Sequence, residues 1–497
     1  MAATSSGEME HHDLYIGGKE VPSHDGTRIT LRNPANNAPL ASVAKGGRED
    51  ARQAVEVAVR AFRETDWAGG DGAQRARTLL RLANLFAQRV DEFARLETMN
   101  QGKPLREARG DMLFAARTLE YMAGLADKME GSTIPVPGDR IDYTLREPLG
   151  VTVHIAPWNY PLQLAIRSLA PALAAGNACV LKPASLTPLT ALAFAKLARE
   201  AGVPDGILNV VVGSGAEVGE ALVTDPRVAS VSFTGSLEVG RRIMELASRH
   251  VIPVTLELGG KSPNVVFPDA DLDRAAKGVV FGIFQNAGQM CWAGSRLLVH
   301  RSIQDTFLEK VTALARARRL GPGWEAGVEM GPLVSSEQVE RVLGYVETGQ
   351  AEGARLVTGG RRPAAPELAP GNFLEPTIFR DVAPEMRIAQ EEIFGPVLAV
   401  LPFENFDEAM ALANASSYGL YAGVWTRDLG TAHRAARALE AGMVSVNEYP
   451  VTFPQTPFGG YKQSGIGVEQ GRRAWEFYTR VKNVSMFLGS GAQPARR

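Results

Sequence analysis

Between about residue 50 and residue 258 the chain alternates short β-branched, apolar runs with longer amphipathic stretches, and this alternation restricts the fold more than any other feature. Strands are predicted near 151–155, 178–181, 208–212, 228–233 and 254–258. Helices are predicted between them near 161–175, 187–201, 215–223 and 236–249. Strands that are apolar on both faces and joined by helical crossovers must lie parallel, with helices covering both faces of the sheet.

After Lys261 the pattern starts again, with strands predicted near 264–267, 296–300, 354–358, 397–401, 420–425 and 443–446. A chain of 497 residues is too long for one hydrophobic core. The expected fold class is therefore α/β, with two doubly wound parallel-sheet domains meeting near Gly259 and Gly260. Glu257 and Cys291 then fall on opposite sides of a cleft, where ligand sites concentrate. Residues 141–148 and the tail from Trp475 to Leu488 fit neither unit and read as edge strands that need covering by another chain. Residues 1–12 read as a loose polar arm.

Composition removes several function classes. A net charge of -2 gives no electrostatic case for nucleic acid or an anionic membrane surface. No apolar run approaches the roughly 20 residues that span a bilayer. The two cysteines, Cys179 and Cys291, make no disulfide framework and suit a reducing compartment, with cytoplasm as the default.

The chemistry centres on two glycine-bearing segments, Glu257 to Pro263 and Asn286 to Arg296. A cysteine thiolate attacks carbonyl carbon well, and a nearby carboxylate can activate the water that removes an acyl group. Cys179 inside an apolar run reads as inert core, whereas Cys291 lies between Gly288 and Gly294 in an expected loop. Glu257 in an apolar strand is costly to bury without a partner or a purpose. By spacing alone Asn159 reads as a turn residue or helix cap.

Those segments closely resemble the aldehyde dehydrogenase superfamily. Pro157 to Pro161, Lys182 to Ala184, Phe233 to Ser236, Glu392 to Pro396 and Pro457 to Gly460 match it in the same order, so the resemblance covers nearly the whole chain. It implies Cys291 as nucleophile, Glu257 as general base, Asn159 with the Cys291 N–H as oxyanion hole, and Glu469 as part of a proton relay. It further implies a dinucleotide-binding domain over 13–140 and 149–258, a catalytic domain over 259–455, and an oligomerisation element from 141–148 and 470–490. A homodimer or homotetramer is implied, with no metal.

The cofactor expected from the resemblance is NAD or NADP. Taken alone, Gly213, Gly215 and Gly219 form only a glycine turn before a helix, one residue too long for the usual dinucleotide fingerprint. The matching elements are Ile155, Ala156, Pro157, Trp158, Lys182, Gly215, Phe233, Thr234, Gly235, Ser236, Val239, Leu258, Glu392 and Phe394. NAD-preferring relatives commonly carry glutamate where this chain has Ser185. Its absence relaxes the exclusion of a 2′-phosphate, so NADP is expected to be accepted and even preferred.

For the substrate pocket the resemblance points to Tyr160, Arg167, Gln285, Thr452 and Phe458. Arg167 and Gln285 stand where relatives acting on simple aliphatic aldehydes carry aromatic residues. A guanidinium there can bind a carboxylate through a bidentate pair, which favours a polar or anionic aldehyde over a broad-range enzyme. The alternative reading for Arg167 is a helix residue paired to a nearby acid. Ser168 replaces a lysine common in related enzymes, so any proton relay must differ in part. The expected reaction is oxidation of an aldehyde to its acid through a thiohemiacetal and a thioester on Cys291. The rivals are a CoA-acylating dehydrogenase, whose kind lacks the glutamate at 257, a cofactor-independent esterase, and a non-catalytic relative.

Overall fold

The computed structural model describes residues 9–489. Most of the chain is built on two large sheets. The first has eight strands, and its central five, Val254–Glu257, Val228–Thr234, Val151–Ile155, Ala178–Lys182 and Leu208–Val210, run parallel in that spatial order. All are apolar runs buried on both faces, as parallel strands flanked by helices must be. The edges are antiparallel: Gly465–Ile466 on one side and the hairpin Leu14–Ile16 with Lys19–Val21 on the other. These short pieces carry too little periodicity to be read as strands in isolation.

The helices follow the predicted pattern closely, at Pro161–Ala174, Leu189–Glu200 and Leu237–Ala247. The stretch expected as a helix over 215–223 instead opens with a π turn, Gly215–Gly219, before a short α-helix, Glu220–Val223. Paired glycines weaken ordinary helical hydrogen bonding there.

The second sheet begins at Pro263–Val266, six residues after the first sheet's last parallel strand ends at Glu257. Its seven strands include Arg296–His300, Val397–Phe403, Tyr421–Trp425 and Met443–Val446, with Arg355–Thr358 antiparallel at one edge. A strand absent from the sequence reading, Thr377–Arg380, lies between Arg355–Thr358 and Val397–Phe403.

Two expectations need correction. Residues 10–12 of the supposed loose arm form a strand, Glu10–His12, parallel to Pro39–Ala44, while residues 1–8 lie outside the described residues. The two lone edge strands cover each other: Arg140–Pro148 pairs antiparallel with Thr479–Phe487 and with Thr133–Ile134. Backbone groups more than 330 residues apart in sequence satisfy one another, which neither segment alone reveals. Residue 490 of that expected element lies outside the described residues.

Candidate active site

The parallel strands of the first sheet end on one side, and the loops that follow them carry the expected dinucleotide residues. A cavity of about 690 Å³ of empty space opens there, lined by Pro157, Trp158, Asn159, Leu164, Thr234, Gly235, Ser236, Glu257, Leu258, Gly259, Cys291, Glu392 and Phe394, among others. Ligands of open α/β sheets bind outside the carboxyl ends of the strands, and this cavity has that position. Ile155, Ala156, Lys182, Ser185, Gly215, Phe233 and Val239 sit at the ends of the same strands or just beyond, without lining the cavity itself.

Cys291 and Leu164 also line a second, smaller cavity of about 330 Å³, formed with Tyr160, Gln163, Arg167, Trp292, Thr452, Phe458 and Gln470. Cys291 therefore stands between a groove on the strand-end side and a pocket with three aromatic walls, Tyr160, Trp292 and Phe458. Of the predicted substrate residues, Tyr160, Arg167, Thr452 and Phe458 meet there. Gln285 does not: it is half-buried where the helix Leu272–Phe284 ends.

Glu257 occupies the last position of its strand, 2% exposed, and neither carboxylate oxygen has a hydrogen-bond partner among the described residues. Burial pushes its pKa well above the usual carboxylate range; Arg167 pulls it down and Glu469 pushes it up. An unpartnered buried carboxylate is expensive, and desolvation favours its protonated form. Burial also pushes the Cys291 thiol up to about 12, against the pull of Arg167 and with a further push from Glu392 and Glu257.

The turn that carries Cys291 is strained. Asn286, Ala287 and Gly288 have φ of 46°, 52° and 74°, three successive left-handed residues of which two have side chains. Such conformations cost on the order of 1–3 kcal/mol each for non-glycine residues and persist only where the surroundings enforce them. Gly288 must be glycine, because a Cβ there would run into the Gly395 carbonyl. An amide network holds the turn: Asn159 Nδ2 donates to Gln289 O at 2.8 Å, and Asn286 Nδ2 donates to Asn159 O at 2.9 Å. One N–H of the Asn159 amide is thereby fixed, and the other is not used in this network.

Asn286 and Gln289 were not singled out from sequence, although two amides bracketing Gly288 just before a cysteine are a usable signal. Arg167 is not a free clamp. Its Nε pairs with Glu469 Oε2, and its guanidinium lies 4.2 Å from the Phe458 ring centroid. Glu469, the expected relay residue, lines neither cavity; its other oxygen accepts from Ser232 Oγ at 3.0 Å.

The groove's polar groups fit a dinucleotide. Lys182 is buried, yet among the described residues its amino group has a single hydrogen bond, to Pro183 O at 3.4 Å, and burial lowers its pKa to about 8. Among the described residues the Glu392 carboxylate accepts only the Gly260 N–H, at 3.1 Å, and burial pushes it up to about 7. A lysine and a glutamate with unfilled hydrogen-bonding capacity suit the hydroxyls of two riboses. Ser236 caps the helix Leu237–Ala247 at the cavity wall, a setting that favours phosphate. Ser185 Oγ donates to Gly213 O at 2.9 Å, so no carboxylate faces that end of the groove from this position. Among the described residues no cluster of three or more His, Cys, Asp or Glu could hold a metal ion.

Comparison with known proteins agrees with this geometry. The Aldehyde dehydrogenase family model matches residues 21–484. Betaine aldehyde dehydrogenase of Bacillus subtilis is 46% identical over 473 residues, covering 95% of this chain and 96% of that protein. Betaine aldehyde dehydrogenase of Staphylococcus aureus, solved with NAD+, superposes with a TM-score of 0.95 at 40% identity over 97% of this chain and 96% of that one. An NAD+ complex of aldehyde dehydrogenase from Bacillus cereus gives a TM-score of 0.94 at 44% identity over 97% of both chains. With Cys291, Glu257 and Asn159 gathered around one cavity, the chain belongs to the aldehyde dehydrogenase family.

Proposed function

We propose that the protein oxidises a polar aldehyde to its carboxylic acid through a thioester on Cys291. The observation that carries the hydrolytic half is Glu257, unpartnered and buried in the cavity that holds Cys291. The thiolate adds to the carbonyl carbon, and the free N–H of Asn159 and the Cys291 N–H stabilise the oxyanion. A nicotinamide dinucleotide, when bound, supplies the hydride acceptor, held by Lys182, Ser236, Glu392 and their neighbours. Glu257 then takes a proton from the water that cleaves the thioester. The test is rapid-mixing kinetics: one equivalent of reduced cofactor per site should form in a burst when Glu257 is replaced by glutamine, and no burst when Cys291 is replaced by alanine.

Arg167 Nη2, buried and without a partner, supports a substrate that carries its own hydrogen-bond acceptor. Its pairing with Glu469 supports an uncharged acceptor over a second carboxylate, and the aromatic walls support the broad-range alternative. A quaternary ammonium aldehyde, such as that named for the two betaine aldehyde dehydrogenases, needs open aromatic faces, and the Phe458 face is taken by Arg167. Comparing kcat/KM for glycolaldehyde, succinate semialdehyde, propionaldehyde and benzaldehyde decides among these. Highest efficiency with the two apolar aldehydes would sink the polar reading.

The proposal extends to cofactor, assembly and compartment. Ser185 supports acceptance of NADP beside NAD. Exposed Val481, Met486 and Phe487 on the outer strand Thr479–Phe487 support self-association of copies, which light scattering would detect. The free thiols Cys179 and Cys291 support a reducing, cytoplasmic setting. No helix among the described residues is long and apolar enough to cross a membrane.

A further inference from the structure

We propose that Glu107 is a positioning residue for the oxyanion hole: by accepting the Asn286 N–H it holds the left-handed turn that aims the Cys291 N–H and the Asn159 amide at one point. The inference rests on the thioester reading above. Glu107 lies in the first turn of the helix Leu105–Ala123, 179 residues away in sequence, and its Oε2 accepts from Asn286 N at 2.8 Å. It touches neither cavity, so its influence on the reaction must pass through the turn.

Every polar group of Asn286 is engaged. Gln101 Nε2 donates to its side-chain oxygen at 3.1 Å, Gln289 Nε2 donates to its carbonyl at 2.9 Å, and its own Nδ2 donates to Asn159 O. Gln289 is fixed in turn by the Val334 N–H at 2.9 Å. Asn286 thus joins both halves of the oxyanion hole, and Glu107 holds the backbone N–H of the first residue of the left-handed run. A backbone that side chains rarely adopt relaxes when such a bond is removed, and a donor displaced by an ångström loses most of its worth in the transition state.

The test compares Glu107→Ala and Glu107→Gln in the full chain. The glutamine oxygen can still accept the N–H, so Glu107→Gln should stay within about threefold of the parent kcat, whereas Glu107→Ala should lose about 100-fold with KM little changed. Iodoacetamide alkylation of Cys291 forms no oxyanion, and Cys179 is fully buried, so the alkylation rate should be almost the same in all three proteins. An alanine variant with near-parental kcat overturns the proposal. So does a glutamine variant as poor as alanine, or alkylation that falls in step with kcat. If the alanine chain does not fold, Glu107→Asp keeps the charge and withdraws the acceptor by one carbon; an unchanged kcat there overturns the proposal as well. A parent that oxidises no aldehyde with either nicotinamide cofactor overturns the functional reading too, whereas the variant outcomes bear on Glu107 alone.

Discussion

Arg167 and Glu469 form an ion pair sealed beside the nucleophile, with side chains only 3% and 1% exposed. Removing one member of such a pair leaves the other charge buried and uncompensated, which typically costs about 3–5 kcal/mol, whereas removing both can be neutral. Arg167→Leu should therefore lower the melting temperature by several degrees, and adding Glu469→Leu should recover much of the loss. A single variant as stable as the parent would show that water reaches Glu469.

Glu257 has the role most open to kinetic dissection. General base catalysis contributes about 100- to 10,000-fold, so Glu257→Gln should reduce steady-state kcat by that range. Acyl-enzyme should accumulate and be visible by mass spectrometry of the quenched protein. Equal loss of the burst and of the steady state would move Glu257 to the first half-reaction.

Burial raises the Cys291 thiol to about 12, and the sign of the pH dependence follows. Below that value the thiolate fraction grows tenfold per pH unit, so alkylation of the cofactor-free protein should still be climbing at pH 9.5, where an ordinary thiol of pKa about 8.5 has levelled. A plateau near neutrality would mean that the thiol ionises far more readily than its buried setting implies.

Ser185→Glu restores a carboxylate at the adenosine end of the groove. Repulsion of a 2′-phosphate should lower kcat/KM for NADP at least about tenfold while sparing NAD. Measuring both cofactors with both proteins checks this, and an unchanged ratio would place the 2′ position away from residue 185.

Cys291, Glu257 and Asn159 were legible in the sequence because each sits in a contiguous motif whose chemistry is local to its residue type. The central strands were legible for a related reason: a strand buried on both faces is rich in apolar and β-branched residues, as Ala178–Lys182 and Pro263–Val266 illustrate. The edge pieces Leu14–Ile16 and Gly465–Ile466 were not, since two or three residues hold no period and their pairing partners lie far along the chain.

The sequence by itself determined the α/β class, the succession of the core strands along the chain and the candidate reacting groups. Only the tertiary structure decided what those groups face. It set Arg167 against Glu469 across 302 residues and left Gln285 out of the pocket. It brought Glu107 behind the nucleophile turn and paired Arg140–Pro148 with Thr479–Phe487. The physical reason is shared: a side chain's charge state, and whether a polar atom is free or satisfied, depend on neighbours within a few ångströms, and folding draws those neighbours from distant parts of the chain.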